Sequence, residues 1–235
     1  MKYSEELRGI IKQALISTYN VISDNFKKKS SKKNEVYNQK FDLKNLENFL
    51  NKRDIERLRG NIDSEALKFK YSDSNVLNLN KPDDKLATNL YKISERIRYQ
   101  SIGLKEYKGI KRNIINNYIN EISNTENNSE NQVNENLNKA FELFLIKNFL
   151  NIKITSNSQE ILNKWENRFN NIFFQHIDFL KKNINNQEIF NSKMSSLIKK
   201  LDFVDDNDVT QDETKDDEDK KDKENEGKNE NINQD

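Results

Sequence analysis

Apolar residues recur at three- and four-residue intervals through most of the first 200 positions, the spacing of one face of an α-helix. Ser4 is placed to cap a first helix whose opening turn carries Glu5 and Glu6. Leu7, Ile10, Ile11, Ala14, Leu15, Thr18 and Ile22 then follow at helical spacing. A basic, polar stretch from Lys27 to Lys40 reads as a loop. Asp42 caps a second predicted helix through Leu43, Leu46, Phe49 and Leu50, extending toward Ile55 to Leu58. The segment from Arg59 to Asn80 is less regular, and Ala66, Leu67, Phe69 and Tyr71 read as a short strand or extended arm.

Pro82 opens the next helix, with Asp83 and Asp84 at the positive end of its dipole. Leu86, Leu90, Ile93 and Ile97 keep one face of it, and Gly103 marks a break. A further helix runs through Ile110, Ile114, Ile115, Tyr118 and Ile122. Residues 123–135 read as a polar linker, and three amphipathic helices follow near 136–150, 158–182 and 187–202. The fold class is therefore all-α, a multi-helix, bundle-like domain over residues 1–203.

Charge divides the chain at that boundary. The whole sequence holds 40 basic and 39 acidic residues, a formal charge of +1. From Asp202 to Asp235 there are 15 acidic and 5 basic residues, so that run carries −10 and the rest +11. From Asp205 onward Val209 and Ile232 are the only sizeable apolar groups, too few to offset chain entropy. Residues 204–235 are thus expected to form a disordered acidic tail or linker.

Composition removes several classes of function. No apolar run approaches the ~20 residues of a membrane-spanning helix, and the first residues lack the apolar stretch of a signal peptide. A soluble, cytoplasmic protein is the default expectation. With no cysteine there is no disulfide, thiolate metal site or thiol nucleophile. His176, the only histidine, shares a face with Trp165, Phe169 and Ile172, which suits a partly buried packing residue. The five lysines Lys27, Lys28, Lys29, Lys32 and Lys33 form the densest basic patch, without a nucleic-acid recognition signature.

More specific features lie in LATNLYKISERIRYQSIGLKEYKGIKRNI, residues 86–114. A helix with Glu95-x-x-Arg98, then Gly103, then Gly109 before an Asn113-bearing helix resembles the most characteristic helix pair of the CobT family, a subunit of aerobic cobaltochelatase. Arg8 and Gly9 resemble that family's start. Arg59, Gly60, Asp63, Ala66 and Leu67 resemble its Arg-Gly-x-x-Asp-x-x-Ala-Leu element. The helix around Phe141 with Trp165 downstream, the segment Asp178 to Leu201 and the acidic run follow in the family's order. Departures are Gln100 where a second glutamate is usual, Tyr71 and Ser72 where histidines are usual, and Glu166 instead of arginine after Trp165.

The resemblance implies a non-catalytic assembly and coupling subunit, with no catalytic, cofactor or metal residue of its own. Its complex would use ATP and Mg²⁺ and insert Co²⁺ into a corrin ring for adenosylcobalamin. The implied partners are a CobS-type AAA+ ATPase and a large, CobN-type corrinoid-binding subunit. Arg59, Gly60, Asp63, Glu95, Arg98, Gly103, Gly109 and Trp165 are the motif residues. Glu95 and Arg98, three apart on one helix face, either orient the helix pair or contact a partner subunit. The family's von Willebrand factor A-type domain has no counterpart here, so the sequence is expected to be the N-terminal part. The alternative is a stand-alone helical adaptor, or a nucleic-acid-associated protein, with an autoinhibitory acidic tail.

Overall fold

The computed structural model describes residues 4–23, 52–124, 133–154 and 156–201. Ser4 caps helix α1, Glu5–Ile22, its Oγ accepting the Leu7 N–H at 3.3 Å. Leu15, Tyr19 and Ile22, one face of α1, are buried against α2, Lys52–Tyr71. The loop at 27–40, its lysine patch and the helix capped by Asp42 lie outside the described residues. So do most of the 123–135 linker and the acidic tail.

Helix α2 replaces the expected strand. Ile55, Ile62 and Ala66 are spaced by seven and four residues and share one buried face with Leu67. A strand would have aligned Leu67, Phe69 and Tyr71, yet Phe69 is exposed and Tyr71 half-buried. The short apolar window suggested alternation, but packing against helices on both sides selects the longer 3.6-residue period. A six-residue helix, α3 (Ser74–Leu79), capped by Asp73, leads to the centre of the fold.

That centre is α4, Lys85–Glu106, which packs against α2, α5 (Lys108–Asn124), α6 (Val133–Leu145) and α9 (Gln187–Ile198). Pro82 precedes the helix and is not in its first turn, and Asp84 is the N-cap, its carboxylate accepting the Ala87 N–H at 2.7 Å. The Pro82 carbonyl instead accepts the Thr88 hydroxyl at 2.7 Å. Gly103 does not break α4. The helix runs one turn further and ends at Tyr107, whose N–H donates to the Gly103 carbonyl.

Helix α6 passes into a π-helical turn, Ile146–Leu150, and stops at Asn151 with φ of 53°. Asparagine tolerates this left-handed conformation better than most residues. Helix α7, Ser156–Phe173, is followed by a 3₁₀ turn, Phe174–His176, and by α8, Ile177–Lys182, where one continuous helix was expected. Phe141 and Phe144 of α6 interlock with Phe169 and Phe173 of α7, centroids 5.3–5.9 Å apart in tilted or edge arrangements. Such offset geometries align ring edges with ring faces. Among the described residues there are nine α-helices and no strand, in agreement with the all-α expectation.

Candidate functional site

The most distinctive polar feature is built on α4 around Glu95 and Arg98. Three residues apart on one helix face, they form a two-pronged ion pair: Arg98 Nε to Glu95 Oε2 at 2.8 Å and Arg98 Nη2 to Oε1 at 2.9 Å. Arg98 is 1% exposed and Glu95 3%. Removing both charges from water is costly, and attraction offsets that cost only when every other donor and acceptor is satisfied.

Here they are. Arg98 Nη1 donates to the Ile184 carbonyl at 3.1 Å, and Nη2 donates to the Tyr71 carbonyl. Glu95 Oε1 also accepts from the Ser72 hydroxyl at 2.6 Å and from Gln187 Nε2 at 3.1 Å. Gln187 in turn donates to the Asp73 carbonyl, and its Oε1 accepts the Asp73 N–H at 2.7 Å. The end of α2, the middle of α4 and the start of α9 are thereby clamped through one charge pair. The clamp faces inward, so these side chains orient helices within the chain.

A second polar contact joins α2 to α5. Asp63 is buried and accepts from Asn113 Nδ2 at 2.8 Å. Burial pushes its carboxyl up to about 6, partly opposed by the Asn113 hydrogen bond and by the nearby Arg59 charge. Gly60, one turn earlier, permits the approach: a Cβ there would lie 2.7 Å from Asn117 Cβ and 2.9 Å from the Asn113 carbonyl oxygen. Gln100, the departure from the usual glutamate, donates to Ser64 Oγ at 2.8 Å and accepts from the Tyr118 hydroxyl at 2.6 Å. Those two bonds use both ends of an amide, which a carboxylate could not supply.

The remaining motif residues separate by role. A Cβ on Gly103 would run into Leu67, whose Cγ would lie 2.9 Å away, so Gly103 sets the α2–α4 distance. Gly109 has open space around it. Arg59 is exposed. Trp165 is half-exposed and stacks on Phe169, with the Arg168 guanidinium 5.4 Å from its ring centre. Glu166, standing where the family pattern has arginine, accepts from Lys147 Nζ at 2.6 Å. His176 is half-exposed on the 3₁₀ turn. Burial first, then Lys193 and Lys200, hold its pKa below the usual histidine value. Among the described residues no group of three or more His, Asp or Glu is arranged to hold a metal ion. No helix among them is long and apolar enough to cross a membrane.

Sequence reasoning found Glu95, Arg98, Asp63 and Asn113 but missed Gln187, Ser64 and Tyr118. Their partners lie between 18 and 115 positions away, and nothing local marks them.

The described residues thus define an all-α protein whose motif side chains are used chiefly to fix helices against one another. A family model, cobalamin biosynthesis protein CobT, matches residues 8–235, and the chain belongs to that family. Membership places it in cobalamin biosynthesis, in a family that is a component of cobaltochelatase, and implies partner subunits. No curated protein and no solved structure matches the chain significantly.

Proposed function

We propose that the chain is the N-terminal, non-catalytic assembly and coupling part of an ATP-dependent cobaltochelatase that inserts its substrate Co²⁺ into a corrin ring. A CobS-type AAA+ subunit hydrolyses Mg²⁺-ATP, a large CobN-type subunit holds the corrinoid, and this chain links the two. The family match over residues 8–235 carries this reading.

The geometry supports it in a second way. A subunit that passes on an ATP-driven movement needs helices that shift as one body, because a compliant element absorbs displacement. The Glu95–Arg98 clamp ties three segments to α4 through directional bonds, and Gly60 and Gly103 seat α2 tightly against its neighbours. The nucleic-acid alternative rests mainly on the lysine patch at 27–33, outside the described residues.

Reconstitution tests the proposal. The purified chain should show neither ATP hydrolysis nor cobalt insertion alone. Adding it to the ATPase and large subunits should raise ATP-dependent cobalt insertion at least tenfold. Turnover by the chain alone, or equal insertion without it, would overturn the assignment.

A further inference from the structure

The outer faces of α2 and α4, with Leu77 of α3, line an open cleft of about 480 Å³ that the buried clamp does not fill. Its volume is in the range that accommodates a ligand group or a few side chains. Lys68 reaches it from α2, and Lys92 and Arg96, one turn apart, reach it from α4. Ser72 and Glu95 also line it, and Leu77 and Ile93 give it an apolar side.

The charges around it do not cancel. Glu95 is committed to Arg98 in the interior. Glu65 is matched by Lys68 at 3.3 Å, and Glu142 by Arg96 at 2.6 Å and Lys139 at 3.6 Å. Lys92 is exposed and has no carboxylate partner among the described residues. Three cations (Lys68, Lys92 and Arg96) and two carboxylates (Glu65 and Glu95) line the cleft, which leaves it at +1.

We propose that this cleft docks an acidic peptide segment of a partner subunit, with a carboxylate near Lys92 and an apolar side chain against Leu77 and Ile93. The inference rests on the assembly role above. A peptide, rather than a small free anion, suits a site that combines a surplus positive charge at its rim with an apolar side. A small anion would leave Leu77 and Ile93 uncovered, and the rim lysines alone hold such an ion weakly in water.

The test uses the full-length chain and a fluorescein-labelled twelve-residue peptide of repeated Glu-Glu-Leu, followed by fluorescence anisotropy at 50 mM salt. Lys92→Glu should weaken binding at least tenfold, and Lys68→Glu with Lys92→Glu further still. Lys181→Glu, an exposed change on α8 with the same effect on net charge, should leave binding within twofold. Equal losses for Lys92→Glu and Lys181→Glu would mean unspecific charge attraction and would overturn the proposal. Displacement of the peptide by 5 mM inorganic phosphate, at matched ionic strength, would assign the cleft to small anions and overturn it too. Pull-down with the ATPase and large subunits separates the two levels. Capture by the wild type but not by Lys92→Glu supports the cleft. Undiminished capture by Lys92→Glu overturns the cleft while sparing the assembly role, and no capture by the wild type overturns that role.

Discussion

Two regions hold the helices of this protein together by different physics. At the α2–α4–α9 junction, an ion pair and its hydrogen bonds fix the angles between backbones, because each bond has a required direction and length. Between α6 and α7, Phe141, Phe144, Phe169 and Phe173 fill space, and burial rewards contact with little regard to direction. The polar junction need not add net stability, since desolvating Glu95 and Arg98 offsets much of their attraction. The aromatic cluster contributes by removing apolar surface from water, at roughly 25 cal/mol per Å². The first therefore specifies an arrangement, and the second supplies driving force.

Breaking the clamp on one side should have the largest effect. Arg98→Ala leaves Glu95 buried without its partner and should cost about 4 kcal/mol of unfolding free energy in urea titrations. Replacing both residues, Glu95→Leu with Arg98→Met, should cost less than the single change. A simple sum of the two single losses would show that the pair does not act as a unit. In the aromatic cluster, Phe169→Ala should cost about 3 kcal/mol through lost burial and a residual cavity. There the loss should combine additively with changes at the clamp.

Asp63 sharpens the comparison, because it is a buried charge without full compensation. Its folded pKa of about 6 lies above the unfolded value of 3.8. Its contribution is present in full below pH 3.8 and is lost as the pH rises through 6, about 3 kcal/mol in all. Asp63→Asn should remove that dependence, so the variant should exceed the wild type in stability at pH 8 and converge with it near pH 4. Parallel thermal-stability curves from pH 4 to 8 would refute the assignment.

The glycines give smaller effects of opposite sign. Gly60→Ala forces a Cβ against the Asn113 carbonyl and Asn117, and should cost about 2 kcal/mol. Gly109→Ala meets nothing and should stabilise α5 by about 0.5–1 kcal/mol through helix propensity. Melting temperatures of the two variants should shift in opposite directions.

Much of the architecture could be read from local pattern. The Ser4 cap fell where expected, as did the face of α4 and its acidic N-terminal region. On the face expected for α1, by contrast, Leu15 and Ile22 are buried but Leu7, Ile10, Ala14 and Thr18 are exposed. The same reasoning failed at α2, where four residues suggested alternation and the apolar positions that mattered were spread over thirteen. It also failed at Gly103, where a glycine that lets α2 lie close to α4 looked like a helix stop. The Glu95–Arg98 spacing was legible, but the reach of Arg98 to the Tyr71 and Ile184 carbonyls was not.

By itself the sequence determined the helical class, the Ser4 cap and the order of family motifs, because caps and periodicity act within a few residues. Only the tertiary structure decided that Glu95 and Arg98 are interior, that Gln187 joins them, and that Gly60 and Gly103 are contact points while Gly109 is not. Those properties depend on which helices meet, and meetings between residues 18 to 92 positions apart are set by packing of the whole core.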